Sequence, residues 1–114
     1  MTPAAFRRIA LSLPDAVEGA HMGHADFRLN GKVFATLGWP DKSWGMVKLP
    51  PELQDALVRA EPDGYRPANG AWSRQGSTMV CLAKADQATL KDAIRSAWQR
   101  VSAAKPKPRA KKRA

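Results

Sequence analysis

Apolar residues recur at helical spacing in three segments of the chain, about residues 3–13, 51–60 and 87–102. Thr2 and Asp86 are typical N-caps for the first and third segments, while Pro14 and Pro62 end the first and second. The apolar positions are Phe6, Ile9, Ala10 and Leu13, then Leu53, Ala56, Leu57 and Ala60, then Leu90, Ile94, Ala97, Trp98 and Val101. The pattern therefore predicts three amphipathic helices.

Between the first two helices the period changes to two, which predicts β-strands around Asn30-Gly31. This dipeptide favours a two-residue hairpin turn, because both turn positions need a positive φ. A second loop is predicted at 40–43. The expected cross-strand pairs are Leu29 with Lys32, Arg28 with Val33, Phe27 with Phe34, and Asp26 with Ala35, then Trp39 with Trp44, Leu37 with Met46, Thr36 with Val47, and Ala35 with Lys48.

This register predicts two unlike sheet faces. The predicted core face carries Phe27, Leu29, Phe34, Thr36, Val47 and Leu49. The other face mixes apolar, aromatic and charged residues, namely Asp26, Arg28, Val33, Ala35, Leu37, Trp39, Trp44, Met46 and Lys48.

A further hairpin is expected around Gln75-Gly76, as a tight turn or as a longer bulged loop. It would join a strand at 71–74 to a strand at 77–82 and place Trp72 beside Met79. The resulting order is helix, three strands, helix, two strands, helix. That order predicts an α+β fold, a two-layer sandwich of an antiparallel sheet with helices mainly on one face.

The positive charge of the chain is concentrated at its C-terminal end. Its 114 residues carry 19 Lys and Arg against 10 Asp and Glu, a net charge of +9. Six of these bases crowd the last ten residues, which leaves +3 for residues 1–104. We therefore predict a single domain over 1–102 and a disordered basic tail over 103–114. Such a tail either binds the phosphates of DNA without sequence preference or is a solvated extension.

Composition and motifs also narrow the class of protein. No apolar run is long enough to cross a membrane and no secretory signal is apparent, so a cytoplasmic location is expected. Cys81 is the single cysteine, which excludes an internal disulfide, and packing in the core is a more natural role for it than nucleophilic catalysis. Phosphate-binding loops, dinucleotide fingerprints and nucleophile elbows are all missing from the sequence. The sequence thus favours a protein that is not an enzyme, without excluding catalysis.

His21, His24 and Asp26 place two imidazoles and a carboxylate within six residues. On one extended strand, residues three apart point to opposite faces, and no cysteine or third histidine lies nearby. Hydrogen bonding of these histidines to a loop beside Gly23 is therefore favoured over a metal site. We expect neither a metal nor another cofactor.

The mixed face offers tryptophans next to cations, with Trp39 and Trp44 near Arg28 and Lys48. Indole rings flanked by cations suit nucleic-acid bases, an aromatic ligand or a peptide. Alternatively, the two tryptophans form a cross-strand pair whose role is only to stabilise the hairpin.

Short segments spread over residues 2–102 form a specific combination. They are Phe6-Arg7, Ala10-Leu11-Ser12-Leu13-Pro14, His21-Met22-Gly23-His24-Ala25-Asp26-Phe27-Arg28, Gly31-Lys32-Val33-Phe34-Ala35, Val47-Lys48-Leu49, Gly70-Ala71-Trp72 and Ala97-Trp98. This combination resembles the MmcQ/YjbR family of small bacterial proteins. The resemblance implies a sandwich related to the frataxin-like and secretion-chaperone-like folds, a proposed DNA-binding role, and a family-level role for both histidines.

Together these observations predict weak, largely electrostatic binding of nucleic acid. The candidate contact residues are Arg28, Lys48, Trp39, Trp44, Trp72, Arg74, Lys105, Lys107, Arg109, Lys111, Lys112 and Arg113. The alternative is a domain that uses its aromatic face for a small ligand or a protein partner.

Overall fold

A computed structural model describes residues 1–21, 23–38, 41–68 and 76–103 of the chain. Its elements are α1 (Pro3–Ser12), β1 (Val17–His21), β2 (His24–Leu29), β3 (Lys32–Leu37), β4 (Trp44–Lys48), α2 (Pro51–Ala60), β5 (Tyr65–Pro67), β6 (Ser77–Cys81) and α3 (Gln87–Ala103). The α+β class is confirmed, but four strands rather than three precede α2.

All three predicted helices are present, and each begins where the sequence predicts. The Thr2 hydroxyl accepts a hydrogen bond from the Ala5 N–H at 3.1 Å and caps α1. The Asp86 carboxylate accepts one from the Thr89 N–H at 3.0 Å and caps α3. Helix α3 continues to Ala103, one residue past the predicted domain limit.

The strands form one antiparallel sheet in the order β1-β2-β3-β4-β6-β5. Strand β1 is the element that the sequence analysis missed, because Val17–His21 contains Gly19 and Ala20 and shows no clear alternation. A turn with Gly23 at φ +80° connects it to β2. Across this hairpin Glu18 lies opposite Phe27.

The predicted Asn30-Gly31 turn is confirmed, with both residues at positive φ (+54° and +81°). Leu29 pairs with Lys32 as predicted. Arg28 pairs with Val33 as predicted too, but the pairs beyond it are shifted by a β-bulge, since Phe27 lies opposite Ala35 rather than Phe34. Phe34 is therefore an extra residue in β3.

The bulge overturns part of the predicted face assignment. Beyond it, Thr36 pairs with Met46 rather than Val47, and Leu37 pairs with Gly45. Ala35 and Leu37, predicted for the mixed face, are consequently buried in the core, whereas Thr36 leaves the core face. The bulge allows the consecutive residues Phe34 and Ala35 both to face the core, which a regular alternating strand does not.

The hairpin predicted around Gln75-Gly76 differs from the prediction in the strand that pairs with β6. Strand β6 lies at Ser77–Cys81 as expected, but it pairs with β5, where Tyr65 lies opposite Val80. The predicted strand at 71–74, with Trp72 beside Met79, lies outside the described residues, as does the predicted contact of Trp39 with Trp44.

One hydrophobic cluster joins the sheet to all three helices. Helix α1 contributes Phe6 and Ala10, and Leu53 of α2 packs against the cluster. Most of the residues predicted for the core side are in the cluster or packed against it, namely Phe27, Phe34, Val47, Leu49, Leu90, Ile94 and Trp98. Because the helices share this cluster, they lie on one side of the sheet. Within the described parts of the chain, no helix has the length and hydropathy that a membrane span requires.

Candidate functional site on the open sheet face

The sheet face turned away from the hydrophobic cluster is the candidate site, and we call it the outward face. Its described residues, assigned from the strand register, are Val17, Gly19, His24, Asp26, Arg28, Val33, Thr36, Trp44, Met46, Lys48, Arg66, Ser77, Met79 and Cys81. Most are half-buried, while Asp26 and Ser77 are buried. The predicted outward positions of Asp26, Arg28, Val33, Trp44, Met46 and Lys48 are confirmed.

Asp26 and Arg28 form a bidentate ion pair on this face. Arg28 Nε donates to Asp26 Oδ1 at 2.7 Å, and Arg28 Nη2 donates to Asp26 Oδ2 at 2.9 Å. The carboxylate is fully buried, whereas the arginine side chain is 36% exposed. The hydrogen bonds from Arg28 and the charge of the carboxylate raise the pKa of the guanidinium above its ordinary value. The buried negative charge is thus compensated by a cation that still reaches solvent.

Gly19 provides the space for this pair on the neighbouring strand β1. A Cβ at Gly19 would lie 2.9 Å from both Arg28 Nε and Asp26 Oδ1. Any larger residue would therefore push the ion pair away from the sheet.

A cation–π contact joins two strands further along the face. The guanidinium carbon of Arg66 in β5 lies 5.1 Å from the centre of the Trp44 ring in β4. Trp44 is half-buried and Arg66 is exposed, so the arginine covers the indole from the solvent side. The sequence analysis identified Trp44 but missed Arg66, since Tyr65–Pro67 is only three residues long and ends in proline.

An apolar strip extends along the face from Trp44. Met46 lies opposite Met79, and Arg66 pairs with Met79 from the other side. Lys48 follows Met46 at the next outward position of β4. The flexible thioether side chain of Met46 therefore lies between Trp44 and Lys48 on β4, with that of Met79 beside it on β6.

The charge of the outward face is positive. Among its described strand residues the charged ones are Arg28, Lys48, Arg66 and Asp26. Because Asp26 is compensated by Arg28, the remaining excess comes from Lys48 and Arg66, which carry two positive charges beside the apolar strip.

His21 and His24 are not at opposing positions of one strand, as the sequence analysis assumed. The turn at Gly23 places them directly across from each other in the β1–β2 register. The His24 ring lies near Gly38, where a Cβ would be 3.7 Å from His24 Nδ1. Asp26 is two residues further on the same face, engaged with Arg28. The described residues contain no group of three His, Cys, Asp or Glu side chains that could hold a metal ion.

Cys81 is also placed differently from the prediction. It lies on the outward face opposite Trp44 and is half-buried, so its expected burial in the core was wrong. The alternation of β6 explains this, because Val80 and Leu82 take the core positions on either side.

Several predicted contact residues lie outside the part of the chain that the structure describes. They are Trp39, Trp72, Arg74, Lys105, Lys107, Arg109, Lys111, Lys112 and Arg113.

Comparison with known proteins identifies the class to which this chain belongs. The model of the YjbR family matches residues 11–100, most of the chain, and the chain belongs to that family. Among solved structures, the chain is similar to Deinococcus radiodurans protein DR2400, which has a DUF419 domain. That likeness has a TM-score of 0.75 at 18% identity and covers 89% of this chain and 78% of that one, which establishes a shared fold. No curated protein matches the chain.

Proposed function

We propose that this YjbR protein binds nucleic acid, chiefly through charge, and that the outward face and the basic C-terminal residues make the contact. The observation that carries the proposal is the positive, helix-free character of the described outward face. Lys48 and Arg66 flank an apolar strip there, and the one acidic side chain among its described strand residues is buried and paired. Neutralisation of phosphates by lysine and arginine supplies most of the affinity in unspecific binding.

The C-terminal residues add to this charge. Six bases lie between Lys105 and Arg113, with no acidic residue among them. Each phosphate contact releases a counterion, so six contacts to duplex DNA would contribute about −5 to the slope of log affinity against log salt. The sequence preference is expected to be slight, because the most polar face of α3 mixes Lys91 and Arg95 with Asp92 and offers no recognition-helix pattern.

The test is a fluorescence-anisotropy titration of the full chain with labelled DNA at several salt concentrations. Changing the six C-terminal bases to glutamine should reduce the salt slope by about 5. Lys48→Ala and Arg66→Ala should each weaken the remaining binding and reduce the slope by about 1. Arg59→Ala is the matched control, because Arg59 is equally charged but lies in α2, paired with Asp55.

Arg28 is unsuitable for this test, since its removal would break the bidentate pair with the buried Asp26 carboxylate and change the fold's stability as well as the charge of the face. Binding that is unaffected by Lys48→Ala and Arg66→Ala would exclude the outward face from the interface. A large loss of affinity when the duplex sequence is scrambled would contradict the electrostatic mechanism.

A second candidate function is supported by the apolar strip. Met46 and Met79 are half-buried side chains that pack well against varied partners, which suits a small ligand or a protein surface. In that case nucleic acid would bind through the C-terminal bases alone. The outward-face variants would then leave DNA affinity unchanged.

The proposed role includes a cytoplasmic location and no catalytic step. The single, half-buried Cys81 agrees with a reducing compartment. The binding proposal itself needs no cofactor, because lysine and arginine contact phosphates directly.

A further inference from the structure

Resting on the proposed function, we infer that the Trp44–Arg66 pair is a binding site for an unpaired base, so that the outward face prefers single-stranded nucleic acid to duplex. The inference rests on the breadth of the face and on the chemistry of this pair.

The outward face is too broad to enter a groove of duplex DNA. The described residues form a sheet of six strands, and five spacings of about 4.8 Å make it about 24 Å wide. The major groove is about 12 Å wide and admits a single helix or a two-stranded ribbon. A duplex laid on this face would therefore meet the cations through its phosphates, and its bases would remain stacked inside the helix.

The Trp44–Arg66 pair offers a contact that a duplex cannot use. Arg66 lies over the Trp44 ring and is itself exposed on its solvent side. Guanidinium planes and indole rings both stack with bases, but only with bases that are not already stacked in a duplex. A single strand can stack one base here, on the exposed side of the guanidinium that covers the Trp44 ring.

Lys48 provides a phosphate contact at the other end of the same strand. It lies four residues after Trp44 in β4, about 13 Å away along the strand. Met46 and Met79 lie between them and form an apolar surface on which sugar and base carbons can rest. The sites for base stacking, apolar contact and phosphate neutralisation thus follow one another along β4.

The experiment compares labelled oligothymidylate, oligouridylate and a duplex of equal length, with inorganic polyphosphate as the competitor, at physiological ionic strength. The wild-type chain should bind the single strands at least about tenfold more tightly than the duplex. Arg66→Ala and Trp44→Leu should each weaken single-strand binding by roughly 5- to 150-fold, the range for loss of one stacked base. Arg66→Lys keeps the positive charge but replaces the planar guanidinium, so it should lose most of the single-strand affinity that Arg66→Ala loses.

Exposed Arg66 can be changed without disturbing the core, and circular dichroism establishes whether Trp44→Leu remains folded. A photo-crosslink from 5-iodouracil in the oligonucleotide, mapped by mass spectrometry, should fall within β4 or β5. The Arg59→Ala chain should crosslink as the wild type does.

Equal affinity for single strand and duplex would overturn this inference. So would an Arg66→Lys chain that binds as the wild type does, because charge alone would then explain the contact. In both cases the proposed function would stand if Lys48→Ala and Arg66→Ala still weakened binding. The proposed function fails instead if no outward-face variant changes the affinity for either the single strand or the duplex.

Discussion

The guanidinium of Arg28 lies directly over Gly19 on the neighbouring strand, where a Cβ would come within 2.9 Å of Arg28 Nε. This close approach fixes how the bidentate pair with Asp26 rests on the sheet. The ion pair can therefore keep this position only if residue 19 has no side chain.

We therefore expect Gly19→Ala to lower the free energy of unfolding by about 1–3 kcal/mol, as overpacking does elsewhere. Chemical denaturation measures the loss, and Ala20→Ser on the same strand is the control. The effect should shrink when Arg28→Ala is added, since one of the two clashing side chains is then gone. A Gly19→Ala chain as stable as the wild type would mean that the ion pair moves aside freely.

Phe34 is the bulge residue and is fully buried. Phe34→Ala should cost about 3–5 kcal/mol, because it leaves a cavity in the cluster shared by sheet and helices. Val33→Ala is the matched control, half-buried on the outward face, and should cost about 1 kcal/mol or less. Similar losses for the two variants in a denaturant titration would contradict the face assignment.

The Asp86 cap of α3 predicts that the stability of the folded chain depends on pH. Hydrogen bonds from the Thr89 backbone and hydroxyl lower the pKa of Asp86 below its ordinary value. The ionised carboxylate is thus favoured in the folded chain. Its stabilising contribution is present above about pH 4 and is lost as the pH falls through the lowered pKa.

Asp86→Ala should accordingly lower the urea midpoint at neutral pH, and the difference from the wild type should narrow in acid. Asp86→Asn, which retains a capping oxygen without the charge, should lose less at neutral pH. If the wild type and Asp86→Ala differ as much in acid as at neutral pH, the cap does not act through the ionised group.

The turn at Asn30 predicts a backbone effect that side-chain contacts do not explain. Asn30 has φ +54°, a left-handed conformation that costs most other residues about 1–2 kcal/mol. Asn30→Ala should destabilise by about 1 kcal/mol, whereas Asn30→Gly should be nearly neutral. Thermal unfolding of the two variants side by side tests this. Equal midpoints would show that the turn relaxes to another type.

The sequence was informative where the deciding interactions are local. The caps at Thr2 and Asp86 and the turn at Asn30 depend on residues a few positions apart, and the structure confirms all three. The bulge at Phe34 could not be predicted in the same way, because it depends on which residues of β3 find space against the helices.

The candidate site shows the same division. Trp44 and Lys48 could be assigned to one face, since alternation along β4 decides it. Arg66 could not, because its approach to Trp44 depends on β6 lying between β4 and β5 in the sheet. The pairing of His21 with His24 was missed for a related reason, since it depends on a strand that the pattern did not reveal.

Strand β4 serves two purposes with alternate residues, because Val47 packs into the core between outward-facing Met46 and Lys48. Substitutions at outward positions leave the packing on the helix side intact, so ligand preference can drift over evolution while the fold persists. An inserted or deleted residue would instead exchange the two sets of side chains at once. The length of this strand should thus be far more constrained than its outward chemistry, and changes of specificity should arise by substitution alone.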